Sequence, residues 1–375
     1  MHRKNMNFVW RTAIVAAAMS STLTIDAPAL AQGGPAEPPR ADMVVDAAQR
    51  RQVINALIRR VDEDYLFPEQ ARKIDEALSK HERHGDYDTV SGAQKLAETL
   101  TTQMQRITPD KHLYVRYSAD AIPEQKQDDK PSPAEHAAEL AQMKAHNYGI
   151  DRVERLPFNI GYLKLEGFLP ARDAGAALTS AMNLLADTDA LIFDLRDNFG
   201  GDQNTVALVA SYLFDARTHL NDFYDAKTRR LDQMWTAEYV PGPRFGEGKD
   251  VYILTSGQTV SAAEDFSYAL KNLKRAVIVG ETSAGAAHCG DMVRLNAHFS
   301  AMIPSCRPIS PITRTDWEGS GVAPDLSVPA KDALKTAQIQ ELRKMLTAAK
   351  SPARAARLRT RLAEVEKQHA EDAAP

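Results

Sequence analysis

An α/β domain preceded by a small helical bundle is the fold class that this sequence predicts. Apolar residues in the first hundred positions recur at helical spacing, and from about residue 159 strand-like runs alternate with helix-like ones. A buried strand at 251–256 also passes through Gly257-Gln-Thr-Val260 directly into a helix beginning Ser261-Ala-Ala-Glu264. Such a junction leaves unpaired amides and the positive end of the helix dipole beside Ser261.

The first 31 residues stand apart. His2, Arg3, Lys4 and Arg11 precede an apolar run at 12–19 and a small-residue end, Ala29-Leu-Ala31, which predicts a secretory signal peptide cleaved before Gln32. No segment reaches the ~20 apolar residues of a membrane helix, so the mature chain is expected to be exported, periplasmic or secreted, with no transmembrane segment. Residues 32–44, rich in Pro and Gly, predict a disordered leader. Val53, Ile54, Leu57, Ile58 and Val61 mark a first helix, 71–78 a second and 91–107 a third, giving a three-helix domain over 45–117. Its exit, Thr108-Pro-Asp-Lys-His112, leads into an alternating, strand-like 113–117. Residues 118–150 are polar, hold one helix at 134–144, and read as a linker or insertion. Strands at 160–165, 190–195, 251–256 and 276–279 then alternate with helices at 171–186, 205–214 and 261–273, which predicts an α/β domain over 151–335. A polar stretch with several aromatics at 215–250 stays unassigned, and the charged tail 336–375 reads as a solvated terminal helix or a pair of helices packed on the surface.

Without its first 31 residues the chain carries 43 basic and 49 acidic residues, a balance that argues against a nucleic-acid partner. Its two cysteines, Cys289 and Cys306, belong to an exported context where disulfides persist. Hairpin arms at 292–295 and 301–304 around Asn296-Ala-His-Phe299 would set them opposite each other, so a structural staple is expected rather than a redox or metal site.

Ser261 admits two readings. It can be a nucleophile at a helix N-terminus, or the cap of a Ser-x-x-Glu capping box. The turn Asp194-Leu-Arg-Asp-Asn-Phe-Gly-Gly201 admits three: a plain tight turn, an anion cradle, or half of an oxyanion hole. The cradle is the weakest, because no Gly-x-Gly-x-x-Gly or Gly-Lys-Ser/Thr loop is present; no cofactor and no metal are expected. A nucleophilic Ser261 needs a base, and His112 beside Asp110, or His288 in a Gly/Ala-rich loop, are the candidates.

Taken in order, Asp64-Tyr-Leu-Phe-Pro68, Asp110-Lys-His-Leu113, Asn147-Tyr-Gly149, Asn159-Ile-Gly-Tyr-Leu163, Asp194-Leu-Arg196 to Gly200-Gly201, Val260-Ser-Ala-Ala-Glu264, Gly280-Glu-Thr282 and Trp317-Glu-Gly319 to Gly321-Val-Ala-Pro-Asp325 resemble the C-terminal-processing (tail-specific) serine peptidase family. The likeness runs from about 50 to 335 and is to the branch that includes interphotoreceptor retinoid-binding protein modules and relates to the tricorn core protease. It implies a crotonase/Clp-protease-like α/β core. It also implies catalytic Ser261, His112 and Glu318, with an oxyanion hole from Gly200, Gly201 and Ala262. A Ser–Lys dyad is excluded, since Ala286 stands where the family lysine falls. Lys111 stands where the relay serine would precede His112, which leaves Asp110 or a water in its place, and His288 remains the alternative base. Residues 118–150 are too short and polar for the family's PDZ domain.

The function implied is an exported serine-type peptidase acting through an acyl-enzyme on Ser261, with a polypeptide substrate. Two alternatives stay open: a module that binds a hydrophobic, lipid- or retinoid-like ligand and carries a vestigial site, and an esterase using the same residues. Oligomeric state is not legible.

Overall fold

The computed structural model describes residues 42–124 and 132–373, so the expected signal peptide and nearly all of the expected leader lie outside the described residues. The described chain forms two compact units, one of residues 42–109, 113–124 and 290–303, the other of 110–112, 132–289 and 304–373.

Three helices open the first unit. α1 (Ala47–Asp64) starts on a capping box in which Asp46 accepts the Gln49 N–H (2.8 Å) while the Gln49 side chain accepts the Asp46 N–H (3.0 Å). α2 (Pro68–Arg83) begins on a proline, where no intrahelical N–H is lost, and α3 (Ala93–Ile107) follows. Val53, Leu57 and Val61, Ile74 and Leu78, and Leu96, Leu100 and Met104 present their apolar stripes to one core. That core is completed by Leu113, Val115, Phe299 and Ala301. β1 (Tyr114–Tyr117) runs antiparallel to residues 299–302 of β10 (Phe299–Ile309). The helical unit therefore takes in 290–303, residues that the sequence places with the α/β domain.

The second unit is built on a six-stranded sheet. Its strands are β2 (Ile150–Leu156), β3 (Ile160–Leu165), β4 (Ala190–Asp194), β7 (Asp250–Thr255), β8 (Val277–Gly280) and β11 (Leu326–Ser327), in the order β11-β8-β7-β4-β3-β2. All neighbours are parallel except β2, which lies antiparallel on β3 at the edge. A mostly parallel sheet needs cover on both faces, and β4 accordingly buries all five of its residues. Ala190 and Ile192 pack with Ala337 and Leu342 of α8 (Ala333–Ala348) and Leu358 of α9 (Pro352–Ala373). On the opposite face Phe193 meets Phe266 of α7 (Ala262–Asn272), ring centroids 5.1 Å apart. The terminal helices thus supply much of this core from their apolar sides. α4 (Pro133–Ala145), α5 (Ala171–Leu185) and α6 (Gln203–Ser211) complete the helical elements of the unit.

The unassigned stretch 215–250 holds an antiparallel hairpin of β5 (His219–Asp225) and β6 (Arg230–Trp235), and residues 306–309 of β10 pair with β5. Cys289, the first residue of β9 (Cys289–Arg294), is disulfide-bonded to Cys306, with Cα atoms 4.9 Å apart, as the hairpin register leads one to expect.

At the exit of β4, fully buried Asp194 accepts Tyr162 Oη at 2.6 Å and Arg196 Nε and Nη2 at 2.8 and 2.6 Å. Burial pushes its carboxyl up, but the Arg196 and Tyr162 donors outweigh that and hold it below the usual range. Asp194→Ala leaves a guanidinium unpaired there, and should lower unfolding free energy by about 3–5 kcal/mol in urea melts, with Asp194→Asn losing less.

Candidate active site

After β7 the chain turns through 256–260, and Ser261 closes the turn with φ 58° and ψ −119°. A capping serine normally sits in the extended region, whereas this backbone conformation costs a non-glycine residue on the order of 1–3 kcal/mol. Something must hold it there. Glu264, fully buried one turn into α7, accepts four hydrogen bonds: Ser283 Oγ (2.6 Å) and Gly285 N–H (2.6 Å) on Oε1, Ser261 N–H (2.9 Å) and Ala286 N–H (2.9 Å) on Oε2. Burial raises its pKa, and the four donors work against that rise.

The Gly200-Gly201 turn lies against the serine. A Cβ on Gly200 (φ 93°) would fall 2.7 Å from Ser261 Cβ and 3.2 Å from Ala262 N, so only glycine permits this approach. The Gly200 N–H is committed to Asn198 Oδ1 (2.8 Å) and its carbonyl to Phe168 N–H (2.7 Å). Of the three expected oxyanion donors, Gly200 is therefore already spoken for, while the N–H groups of Gly201 and Ala262 have no hydrogen-bond acceptor among the described residues.

A second cluster gathers around Asp110. Its Oδ1 accepts the backbone N–H of His112 (3.0 Å), and its Oδ2 faces His288 Nδ1 at 2.7 Å. Glu318 lies 3.7 Å from the same nitrogen, and it accepts the N–H groups of Ala287 (2.5 Å), His288 (3.1 Å) and Lys111 (3.4 Å). Glu318 thus grips His288 and its loop, and among the described residues it forms no direct hydrogen bond to the His112 ring. Asp110, which the sequence offers as a substitute for the missing serine, fixes the His112 backbone through Oδ1.

The two imidazoles are pushed in opposite directions. Burial, with His288 nearby, outweighs the Asp110 charge and pushes His112 down to about 4; its Nδ1 is shut off from solvent without a hydrogen-bond partner. Burial alone would also lower His288, but the Asp110 hydrogen bond and the charges of Asp110 and Glu318 prevail and raise it. Burial raises Glu318, partly offset by His288. Asp110, His112 and Glu318 bring one potential ligand atom each to within 4.8 Å of one another. Asp110 Oδ2 already faces the His288 ring and Glu318 already accepts the Ala287 and His288 amides, so both carboxylates are engaged by groups of the chain itself.

The loop 281–288 joins the two clusters. Glu264 holds Gly285 and Ala286 from the serine side, Glu318 holds Ala287 and His288 from the other, Lys111 Nζ donates to Ala284 O, and Trp317 Nε1 donates to Ala286 O at 3.2 Å. Ala286 carries no side chain that could act as a base. Asn198 and Ser283 escaped the sequence reading, whereas Glu264 was visible only as the fourth residue of Ser-x-x-Glu.

Similarity to known proteins follows the same residues. A family model described as peptidase family S41 matches residues 159–328, and one described as the N-terminal domain of peptidase S41 in eukaryotic IRBP matches 43–150. The chain is 27% identical over 172 residues to the chloroplastic carboxyl-terminal-processing peptidase 2 of Arabidopsis thaliana, covering 45% of this chain and 32% of that one. It is 26% identical over 205 residues to a carboxy-terminal-processing protease of Bartonella bacilliformis, covering 53% and 44%. It therefore spans less than half the length of either relative. A solved structure from Parabacteroides merdae shares the fold with a TM-score of 0.54 at 19% identity, over 80% of this chain and 99% of that one.

Two substitutions probe this geometry. Glu264→Gln presents an NH₂ where only donors converge and should cost about 1–3 kcal/mol in denaturant-induced unfolding. Gly200→Ala should displace the turn from Ser261, seen as changed amide shifts at 200–202 and 261–262 in NMR spectra.

Proposed function

Because the chain belongs to peptidase family S41, we propose that it is an exported serine peptidase that hydrolyses polypeptides through an acyl-enzyme on Ser261. The observation that carries this reading is the strained Ser261 at the head of α7 with Gly200 pressed against it and the Gly201 and Ala262 amides left over. Ser261 Oγ attacks the scissile carbonyl, and those two N–H groups take the oxyanion. Each such donor is worth roughly a hundred- to a thousand-fold in rate. His112 accepts the serine proton and returns it to the leaving amine; water then releases the acyl group with His112 again as base.

His288 is better suited to staying protonated between Asp110 and Glu318 than to acting as the base. The Asp110 charge works toward the imidazolium that forms on His112 as Ser261 attacks, against the burial that disfavours it. Export is supported by the basic-then-apolar N-terminal sequence and by the Cys289–Cys306 disulfide.

A fluorophosphonate probe should label the chain, and Ser261→Ala should abolish the labelling; labelling that survives the substitution sinks the assignment of the nucleophile. The base is tested by pH. A neutral imidazole is the acceptor, so with His112 at about 4 the acid limb of kcat/KM should lie well below 6.5, toward that value. Were His288 the base, its raised pKa would put the limb above 6.5. Stability follows the same signs. The contribution of neutral His112 is lost as pH falls from about 6.5 toward 4, and that of protonated His288 is complete below about 6.5 and is lost as pH rises through its folded value. Urea melts across pH, compared with His112→Ala and His288→Ala, separate the two.

A further inference from the structure

We infer that Phe199 is the platform of an apolar subsite, which takes an aliphatic or aromatic side chain of an extended polypeptide next to the scissile bond. The inference rests on the serine-peptidase reading for the word scissile, but its geometry is independent of the chemistry at Ser261. Phe199 directly precedes Gly200, whose backbone abuts Ser261 Cβ. Its side chain is 50% exposed although it belongs to a turn that is otherwise tied down on every side. Phe199 N–H donates to Glu166 O (2.9 Å), Phe168 N–H to Gly200 O (2.7 Å), Asp202 N–H to Phe168 O (2.6 Å) and Asn198 Nδ2 to Leu165 O (2.8 Å). The ring therefore stands on a rigid backbone strip, with a fixed position relative to Ser261.

A single exposed apolar residue is ordinary and needs no function. What sets Phe199 apart is the seat made for its ring. A Cβ at Gly167 would fall 2.3 Å from Phe199 Cζ, 2.7 Å from Cε2 and 2.9 Å from Cε1, so any larger residue at 167 would lift the ring away. Gly167, unlike Gly200 and Gly201, does not have a positive φ, and no backbone requirement explains its glycine. The half-exposed ring thus lies close over the bare backbone of Gly167, one residue from the turn that abuts the nucleophile. A flat, preorganised aromatic face loses little entropy on contact with a partner side chain, and aromatic anchors of this kind dominate binding where they occur. Continuity with the Ser261 turn identifies the occupant as a substrate side chain.

The test uses binding, so that it does not depend on turnover. In the Ser261→Ala chain, fluorescence anisotropy is measured with two labelled decapeptide pools, one carrying Phe, Leu and Met among Ser, Gly and Asn, the other only Ser, Gly and Asn. The apolar pool should bind more tightly. Phe199→Ala should weaken it about tenfold and leave the polar pool within about twofold, and Gly167→Ala, which displaces the ring without removing it, should do the same. Phe199→Leu should retain part of the preference. Absence of any preference for the apolar pool, or a preference unaffected by Phe199→Ala, overturns the inference. Fluorophosphonate labelling of the unsubstituted chain judges Ser261 separately, so failure of the nucleophile and failure of the platform are told apart.

Discussion

The buried carboxylate of Glu264 is the constraint on which the site depends. It takes the amide of Ser261, keeping that residue in a conformation serine does not choose, and with its remaining capacity it takes Ser283 Oγ and the amides of Gly285 and Ala286. One side chain thereby sets both the nucleophile's backbone and the loop that carries His288. A buried carboxylate is costly unless its lone pairs are filled, and here four donors fill them. The strain at Ser261 and the burial of Glu264 are two sides of one arrangement, each tolerable because of the other.

From that loop the order of charge follows. Its far end presents the Ala287 and His288 amides to Glu318, and brings the His288 ring to Asp110. Proton affinity is drawn to His288, and the enclosed His112 is left neutral. Two histidines of equal standing in sequence are thus pushed apart, His288 toward keeping its proton and His112 toward losing it. The disulfide at Cys289, adjacent to His288, fastens the end of the same loop to Cys306.

Much of the fold was legible because its signals are local. Val53, Leu57 and Val61 declare a helix, and the unbroken apolar run Ala190-Leu-Ile-Phe193 declares a strand covered on both faces. The β5–β6 hairpin was hidden because residues such as Asn221, Asp222 and Asp225 are buried through polar contacts, so its period-2 pattern of hydrophobicity never shows. The share of the core that the terminal helices supply was less visible, because abundant charge on α8 and α9 masks a narrow stripe containing Ala337, Leu342 and Leu358. At the site, Ser261, the paired glycines and both histidines stood out by type and setting. Their partners did not: that Glu318 grips His288, that Asn198 consumes the Gly200 amide, and that Gly167 makes room for Phe199 are facts of three-dimensional approach that no local pattern displays.

The most direct measurement is a crystal structure of the chain after reaction with a small fluorophosphonate. Covalent phosphorus on Ser261 Oγ, with a phosphonyl oxygen about 2.7–3.1 Å from the amides of both Gly201 and Ala262, is the expected result. An adduct on another residue, or one on Ser261 whose oxygen turns away from those amides, would contradict the assignment of nucleophile and oxyanion hole together.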